Sequence, residues 1–340
     1  MKKAASGATR ADVARHANVS ETIVSYVLNG NRYVDKGKKE RVLKSIQALH
    51  YRPNAFARAL KGKKSNSLLF IADKLDNEHF SRLVTVMDET AYAQGCLISL
   101  CANRNNEAFL AQVISRQYDG IIISSISFPM EYIRRLAEAG IPIVLLMSRD
   151  YDELPAGVAR IYTGLYKGAK DSILHLQENN RRNILYIDRI SKRQHFSDMN
   201  DWRFKGFWEQ MQECGLPVGQ RNIITGCETE EAVIKKIHER IQGGFAADAI
   251  FARNDRLACL GIRAAESLGL SVPEDISVIG FDNSSLSQYI TPRLTTVEMP
   301  RNEIGAAAIE MLYQLINGEI PTDRFFDAKL IRRESVVNKL

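Results

Sequence analysis

The sequence predicts a small all-α head of three helices and a short linker helix, followed by a two-lobed α/β body built on parallel sheets. Three observations predict it. Residues 1–64 carry 15 Lys and Arg against 4 Asp and Glu, a net +11, whereas the rest of the 340-residue chain carries −5. That basic stretch is periodic in apolar residues at helical spacing, so it reads as a folded unit rather than a solvated tail. Beyond it, short apolar runs alternate with helical patterns, which is the signature of βα units on a parallel sheet. A chain of this length exceeds one ordinary core, so two or three domains are expected.

The head comes first. Thr9 to Asp12 forms a capping-box-like start, and Val13, Ala14 and Ala17 follow at helical spacing. Asn18 breaks this helix. Ser20 caps a second one, whose apolar face is Ile23, Val24, Val27 and Leu28, and Asn29-Gly30 ends it. Asp35 precedes a third, with Val42, Leu43, Ile46 and Leu49 turned inward. Two short helices joined by a tight turn make a helix-turn-helix unit, whose second helix enters the DNA major groove. Glu21, Thr22, Ser25 and Tyr26 lie off the apolar face and are the candidate base or phosphate contacts. Arg15, Arg32, Lys36, Lys38 and Lys39 suit phosphates. Thr9, Ser20 and Asn29 complete the candidate DNA set on the head.

A linker helix is expected next. Pro53 breaks the third helix, Asn54 can cap a new one of about two turns, and Gly62 ends it. So short a helix needs a partner surface for its order. Leu60, between Arg58 and Lys61, fits an apolar wedge entering the minor groove; Asn54 and Ala57 belong to the same candidate surface.

Apolar runs at 68–72, 97–101, 120–124 and 143–147 make a first set of strands. A second set lies at 183–187, 222–225, 249–252 and 276–281. Ligands on parallel α/β sheets bind beyond the carboxyl ends of strands. That rule selects Asp73, Asn77, His79 and Phe80 after the first run, and Ser124, Ser125 and Ser127 after the third. It also selects Asn254 and Asp255 after Phe251, and Asp282 and Asn283 after Phe281. Capping and packing are the competing roles for Asp73, His79, Phe80 and Asn254. Arg203 and Asp282 pair a planar five-donor fork with a carboxylate and suit vicinal hydroxyls. Trp202 either stacks on a ligand or packs.

The motifs Val19-Ser20-x-x-x-Val24-Ser25-x-Val27-Leu28-Asn29-Gly30 and Tyr51-x-Pro53-Asn54-x-x-Ala57-Arg58-x-Leu60 resemble the lactose-repressor (LacI/GalR) family of bacterial regulators. So do Val272-Pro-x-Asp275-Ile276-Ser-Val-Ile-Gly280-Phe-Asp282 and Leu294-Thr-Thr-Val297, and the similarity runs from about residue 9 to 335. The resemblance implies a body of the type I periplasmic-binding-protein fold whose chain crosses between lobes near 163, 291 and 322. It further implies Arg203 as the effector-binding arginine and Leu60 as the residue that intercalates at the centre of a palindromic operator. Domain limits follow: head 8–50, linker 51–64, first lobe 65–162 with 293–322, second lobe 163–292 with 323–340. Ile23 and Tyr26 depart from the family's usual Thr and Arg, so operator preference does not carry over. No heptads follow Val337, so a homodimer is expected rather than a tetramer.

The expected function is a sequence-specific DNA-binding transcription regulator, most simply a repressor. A small polar effector, a sugar or sugar derivative, controls it allosterically from between the lobes. A purine or nucleoside effector, or none, is the alternative. No membrane partner, metal or cofactor is expected. Five cysteines without a CxxC pair, and no secretory signal, point to a cytoplasmic chain with reduced thiols. A solute-binding transport protein would need such a signal and no helix-turn-helix. An enzyme would need a nucleophile, metal or cofactor motif, and no GxSxG, HExxH, Walker or GxGxxG motif is present.

Overall fold

A computed structural model describes residues 8–30, 32–51, 64–75, 78–151 and 153–337. The chain divides into two compact units, a head ending at Ser65 and a body from Asn66. Asn54, Ala57, Arg58, Leu60, Lys61 and Asn77 lie outside the described residues.

The head comprises α1 (Arg10–Ala17), α2 (Glu21–Asn29) and α3 (Lys36–Ala48). Local chemistry sets the boundaries. Thr9 caps α1 through a reciprocal box with Asp12, Ser20 accepts from the Ile23 N–H, and Asp35 accepts from the Lys38 N–H. Asn18 and Gly30 end α1 and α2 in the left-handed conformation. Val13, Ala14, Ala17, Val24 and Val42 form the core, flanked by Ile23, Val27, Leu28, Ile46 and Leu49. The His16 ring, 2.9 Å from the Ser45 hydroxyl, and the Arg41 side chain on the Ala17 carbonyl tie α1 to α3. Leu43, expected inside, is 47% exposed. It follows buried Val42 by one position, which turns it about 100° around the helix, away from that core.

The body opens with β1 (Ser67–Ala72), α4 (Glu78–Ala93), β2 (Leu97–Ala102), α5 (Glu107–Ser115), β3 (Gly120–Ser124), α6 (Met130–Glu138), β4 (Ile143–Met147) and β5 (Val158–Tyr162). It continues with α7 (Leu165–Glu178), β6 (Ile184–Ile187), α8 (Trp202–Glu213), β7 (Ile223–Ile224), α9 (Glu230–Gln242), β8 (Ala249–Ala252), α10 (Asp255–Ser267) and β9 (Ser277–Ile279). Then come α11 (Leu286–Tyr289), β10 (Thr296–Glu298), α12 (Arg301–Ile316), β11 (Arg324–Phe325) and β12 (Lys329–Ile331).

One sheet has the order β11-β5-β4-β3-β1-β2 and the other β7-β6-β8-β9, and every pairing within them is parallel. Strand alternation divides the core. Leu68 and Phe70 face Leu83, Met87 and the α12 side chains Ile304 and Leu312, while Leu69 and Ile71 face Phe109, Leu110 and Ile133. In the second sheet Ile184 and Tyr186 face Phe204, Phe207 and Met211, and Leu185 and Ile187 face Val233 and Leu257. Burial on both faces explains why these strands read as continuous apolar runs.

The sequence pattern missed β5, whose central Arg160 breaks the run and bonds Asp323 at 2.6 Å. It also missed β10 and β12, which pair antiparallel beside the lobe junction. β11 pairs with β5 at the edge of the first sheet, Arg324 opposite Ile161 and Phe325 opposite Tyr162.

Candidate functional site

On the head, α2 presents Glu21, Thr22 and Asn29 to solvent, with Ser25 and Tyr26 half-exposed. Asn29 Nδ2 donates to Ser25 Oγ at 3.1 Å, and the Arg32 guanidinium lies 5.4 Å from the Tyr26 ring centroid. These groups therefore share one surface. Thr9 and Ser20 have structural work as caps, and the Thr9 hydroxyl also donates to Asp12 at 2.6 Å.

In the body the selected residues gather where the strands of both sheets end. Asp73 follows β1 and is saturated from its own lobe. Ser125 and Ser127 donate their hydroxyls to Oδ1 (2.8 Å from Ser127), and the Ile126 N–H donates to Oδ2 at 3.0 Å. Asp73 thus fixes the loop after β3 more than it offers a free carboxylate. Ser124 ends β3 half-buried. Asn254 takes the capping role, accepting from the Leu257 N–H at 2.9 Å.

Arg203 and Asp282 meet at the centre. The guanidinium lies over the Phe281 ring at 4.1 Å and donates to the Arg253 carbonyl at 2.5 Å. It approaches Asp282 Oδ1 only to 3.8 Å. Arg203 Nε and Asp282 Oδ1 are buried and make no hydrogen bond among the described residues. Such open valences cost free energy unless a partner arrives. Asp282 also adopts φ +95°, a region L-residues rarely occupy, and retained strain of this kind clusters at functional sites.

His79 lies 4.0 Å from Asp282, and Arg301 Nε donates to its Nδ1 at 3.3 Å. Burial, with Arg301 and Arg203 nearby, pushes the imidazole down to about 4 despite Asp282. His79 is therefore neutral at physiological pH, and its contact with Asp282 is no ion pair. Phe80 packs on Phe70 at 6.0 Å and on His79 at 5.0 Å. Trp202 does not join this group. Its ring stacks on Tyr162 at 5.1 Å and its N–H donates to Asp150 at 2.6 Å, so its packing role prevails.

Sequence reasoning passed over several residues here. Asp188 and Arg189 follow β6, and the strand-end rule that selected Asp73 would have found them. Arg189 reaches to 3.8 Å from Asp73 and keeps an unpartnered buried Nε. Arg253 pairs with Asp201 at 2.7 Å, both buried. Arg301 comes from the first turn of α12, distant in sequence, and nothing local marks it. Lobe-to-lobe contacts close the cleft: Ser285 N and Oγ donate to Glu78 at 2.8 and 2.7 Å, and Arg193 donates to the Asn103 carbonyl at 3.0 Å.

Asp255 accepts from Thr296 at 2.5 Å and from Ser284 N at 2.6 Å, yet burial, with Asp282 nearby, pushes its carboxyl up to about 6. A carboxyl raised above its unfolded value of about 4 favours the fold when protonated, so its contribution is present at low pH and is lost between pH ~4 and ~6. Stability measured by urea should show this. Wild type minus Asp255→Asn should fall by on the order of 2 kcal/mol over that window. A difference independent of pH would refute the assignment.

No helix among the described residues is long and apolar enough to cross a membrane. Residues 9–54 match the family model for bacterial regulatory proteins, lacI family, and residues 173–336 match that for a periplasmic binding protein-like domain. The HTH-type transcriptional repressor PurR of Yersinia pestis is 31% identical over 344 residues, covering 97% of both chains; that of Yersinia pseudotuberculosis is equally similar. Among solved structures, the lac repressor dimer superposes with a TM-score of 0.81 at 22% identity, over 98% of this chain and all of that one. A LacI-family regulator from Silicibacter pomeroyi gives 0.79 at 23%, over 96% and 99%. With a full-length relative at that identity and both domain models matched, the chain belongs to the LacI family of bacterial regulatory proteins.

Proposed function

We propose that this DNA-binding transcriptional repressor of the LacI family changes its operator affinity when a small polar effector, most simply a saccharide, occupies the cleft around Arg203 and Asp282. The unpartnered Nε of Arg203 and the unpartnered Oδ1 of Asp282, on side chains that approach to 3.8 Å with Asp282 on a strained backbone, carry the proposal. A donor beside an acceptor suits a hydroxyl, which is both. Structural neighbours include a regulator in complex with cellobiose and one with bound ribose. A flat nucleobase is the second reading, because neutral His79 and Phe80 together offer an aromatic flank.

α2 reads the operator through Glu21, Thr22, Ser25 and Tyr26, with Arg32 and the α3 lysines on phosphates, and Leu60 acts as the minor-groove wedge. Exposed Tyr92, Leu97 and Leu100 on α4 and edge strand β2, with Leu286 and Tyr289 on α11, favour a homodimer on a palindrome. Effector and operator are then coupled reciprocally by about 1–3 kcal/mol.

A thermal-shift panel of monosaccharides, disaccharides, sugar phosphates and nucleobases tests the effector. One saccharide should raise Tm, because a ligand that binds the native state stabilises it by mass action, and Arg203→Met should remove the shift. A shift that survives in Arg203→Met would move the site elsewhere, and a shift with nucleobases alone would select the second reading. Calorimetry of the active compound with and without operator then reads the coupling; identical affinities would reject it.

A further inference from the structure

Away from the Arg203–Asp282 cleft, the junction of the two lobes holds a cavity of about 520 Å³ lined by both lobes. We infer that this cavity is a second ligand site, for a planar aromatic or heteroaromatic amine.

Its wall is a column of rings. Trp202 stacks on Tyr162 at 5.1 Å with 8° between planes, and Tyr162 stacks on Phe325 at 4.4 Å with 3°. Phe325, at one end of that column, is 72% exposed. One face of that ring rests on Tyr162 while most of its surface stays open on a two-residue edge strand, and a flat ring added beside the column would cover it. The volume fits a molecule of one or two rings.

The floor is set by the backbone. Gly164 has φ +82°, and a Cβ there would meet the Phe326 carbonyl at 2.8 Å. Only glycine lets the crossing after β5 pass so close to the crossing after β11.

The rim decides the charge. Asp150, Glu209 and Asp327 face Lys167 and Lys205 across it. Both ammonium groups are engaged, Lys205 with Asp150 at 3.1 Å and Lys167 with Asp171 at 2.7 Å. Asp327 acts on Lys167 and Glu209 on Lys205 through space, Glu209 accepts from the Tyr166 hydroxyl at 2.5 Å, and Lys170 pairs with Glu213 at 2.7 Å beside the Tyr166 ring. Five carboxylates, Asp150, Asp171, Glu209, Glu213 and Asp327, meet three ammonium groups, Lys167, Lys170 and Lys205, so the rim keeps net negative charge and selects a donor-bearing, positively charged ligand. The first turn of α7, uncapped by any side chain, favours the opposite sign. The sign of the ligand's charge is therefore the discriminating feature.

Calorimetric titration of the full-length protein with tryptamine tests the site, with indole-3-acetate as the anionic counterpart and cyclohexylethylamine as the non-planar one. Tryptamine should bind saturably with Kd below about 1 mM. Phe325→Ala, on the surface, should weaken it by about fivefold or more, and Asp327→Asn by about twofold or more. Arg203→Met should leave tryptamine binding unchanged, which separates this site from the cleft. Three results would overturn the inference: no saturable tryptamine binding in that range, equal binding by Phe325→Ala, or equal or tighter binding of either counterpart.

Discussion

Val24→Asp is expected to abolish operator recognition while leaving the body folded and responsive to effector. Val24 is the one fully buried residue of α2, and the head core around it consists of four other small side chains, Val13, Ala14, Ala17 and Val42. A unit this small is marginally stable. An unpaired carboxylate in such a core costs several kcal/mol, or must be protonated at similar cost, which exceeds what the head has to lose. Without its packing α2 is too short to persist alone. Specific affinity should therefore fall by about 10³ or more, to the level of non-specific binding. The body's cores lie in separate clusters that include no head residue. Its unfolding transition and its effector-induced shift should persist. Anisotropy on a selected duplex and calorimetry of the same sample read both. Retained sequence-specific binding by Val24→Asp would mean that α2 is not the reading helix; loss of the body transition as well would mean that the two units are not independent.

The contrast between head and cleft shows what a sequence displays. Thr9 and Ser20 were legible as caps because a cap satisfies its own helix within three residues, so its chemistry is local. The inner strands β1, β3, β4, β6 and β8 were legible because burial on two faces leaves unbroken apolar runs. β5 was not, since Arg160 serves an ion pair with Asp323, 163 positions away. Asn254 followed a strand end as a ligand residue does, but the same position is an N-cap, and only geometry separates the two roles. Arg203 was reached through family resemblance. Arg301 and the Glu78–Ser285 contact join residues 222 and 207 positions apart, where no local pattern extends. The unspent valences of Arg203 and Asp282 are properties of burial and angle, which residue types do not encode.

Asp201→Ala is expected to be the most destabilising single change in the body and to weaken effector binding through Arg203. Asp201 is 2% exposed and does two things. Its Oδ1 caps α8, accepting from the Arg203 and Phe204 N–H groups at 3.1 and 3.2 Å, and its Oδ2 holds the buried Arg253 at 2.7 Å. Losing a cap costs about 1 kcal/mol. Leaving Arg253 buried without its partner costs about 3–5 kcal/mol, and this loss dominates. A fall in Tm of roughly 10 °C follows for a domain of this size. Burial pushes the Asp201 carboxyl up, but Arg253, Arg203 and Arg189 outweigh it and hold it below the usual range. A carboxyl lowered by folding stabilises above its unfolded value of about 4 and loses that contribution as pH falls through the folded value. The gap between wild type and Asp201→Ala should accordingly be full at pH 7 and narrow below pH ~4. Asp201→Asn with Arg253→Met removes both charges and should recover part of the loss, because the penalty lies in the unmatched guanidinium rather than in the missing bond. Thermal and urea unfolding across pH measure all of this. If Asp201→Ala cost less than about 1 kcal/mol, or if the gap did not depend on pH, Arg253 would not depend on Asp201 for its charge. The start of α8, and with it the position of Arg203 over Phe281, would then have to be held by the aromatic packing of Phe204 and Phe207 on Tyr186 alone.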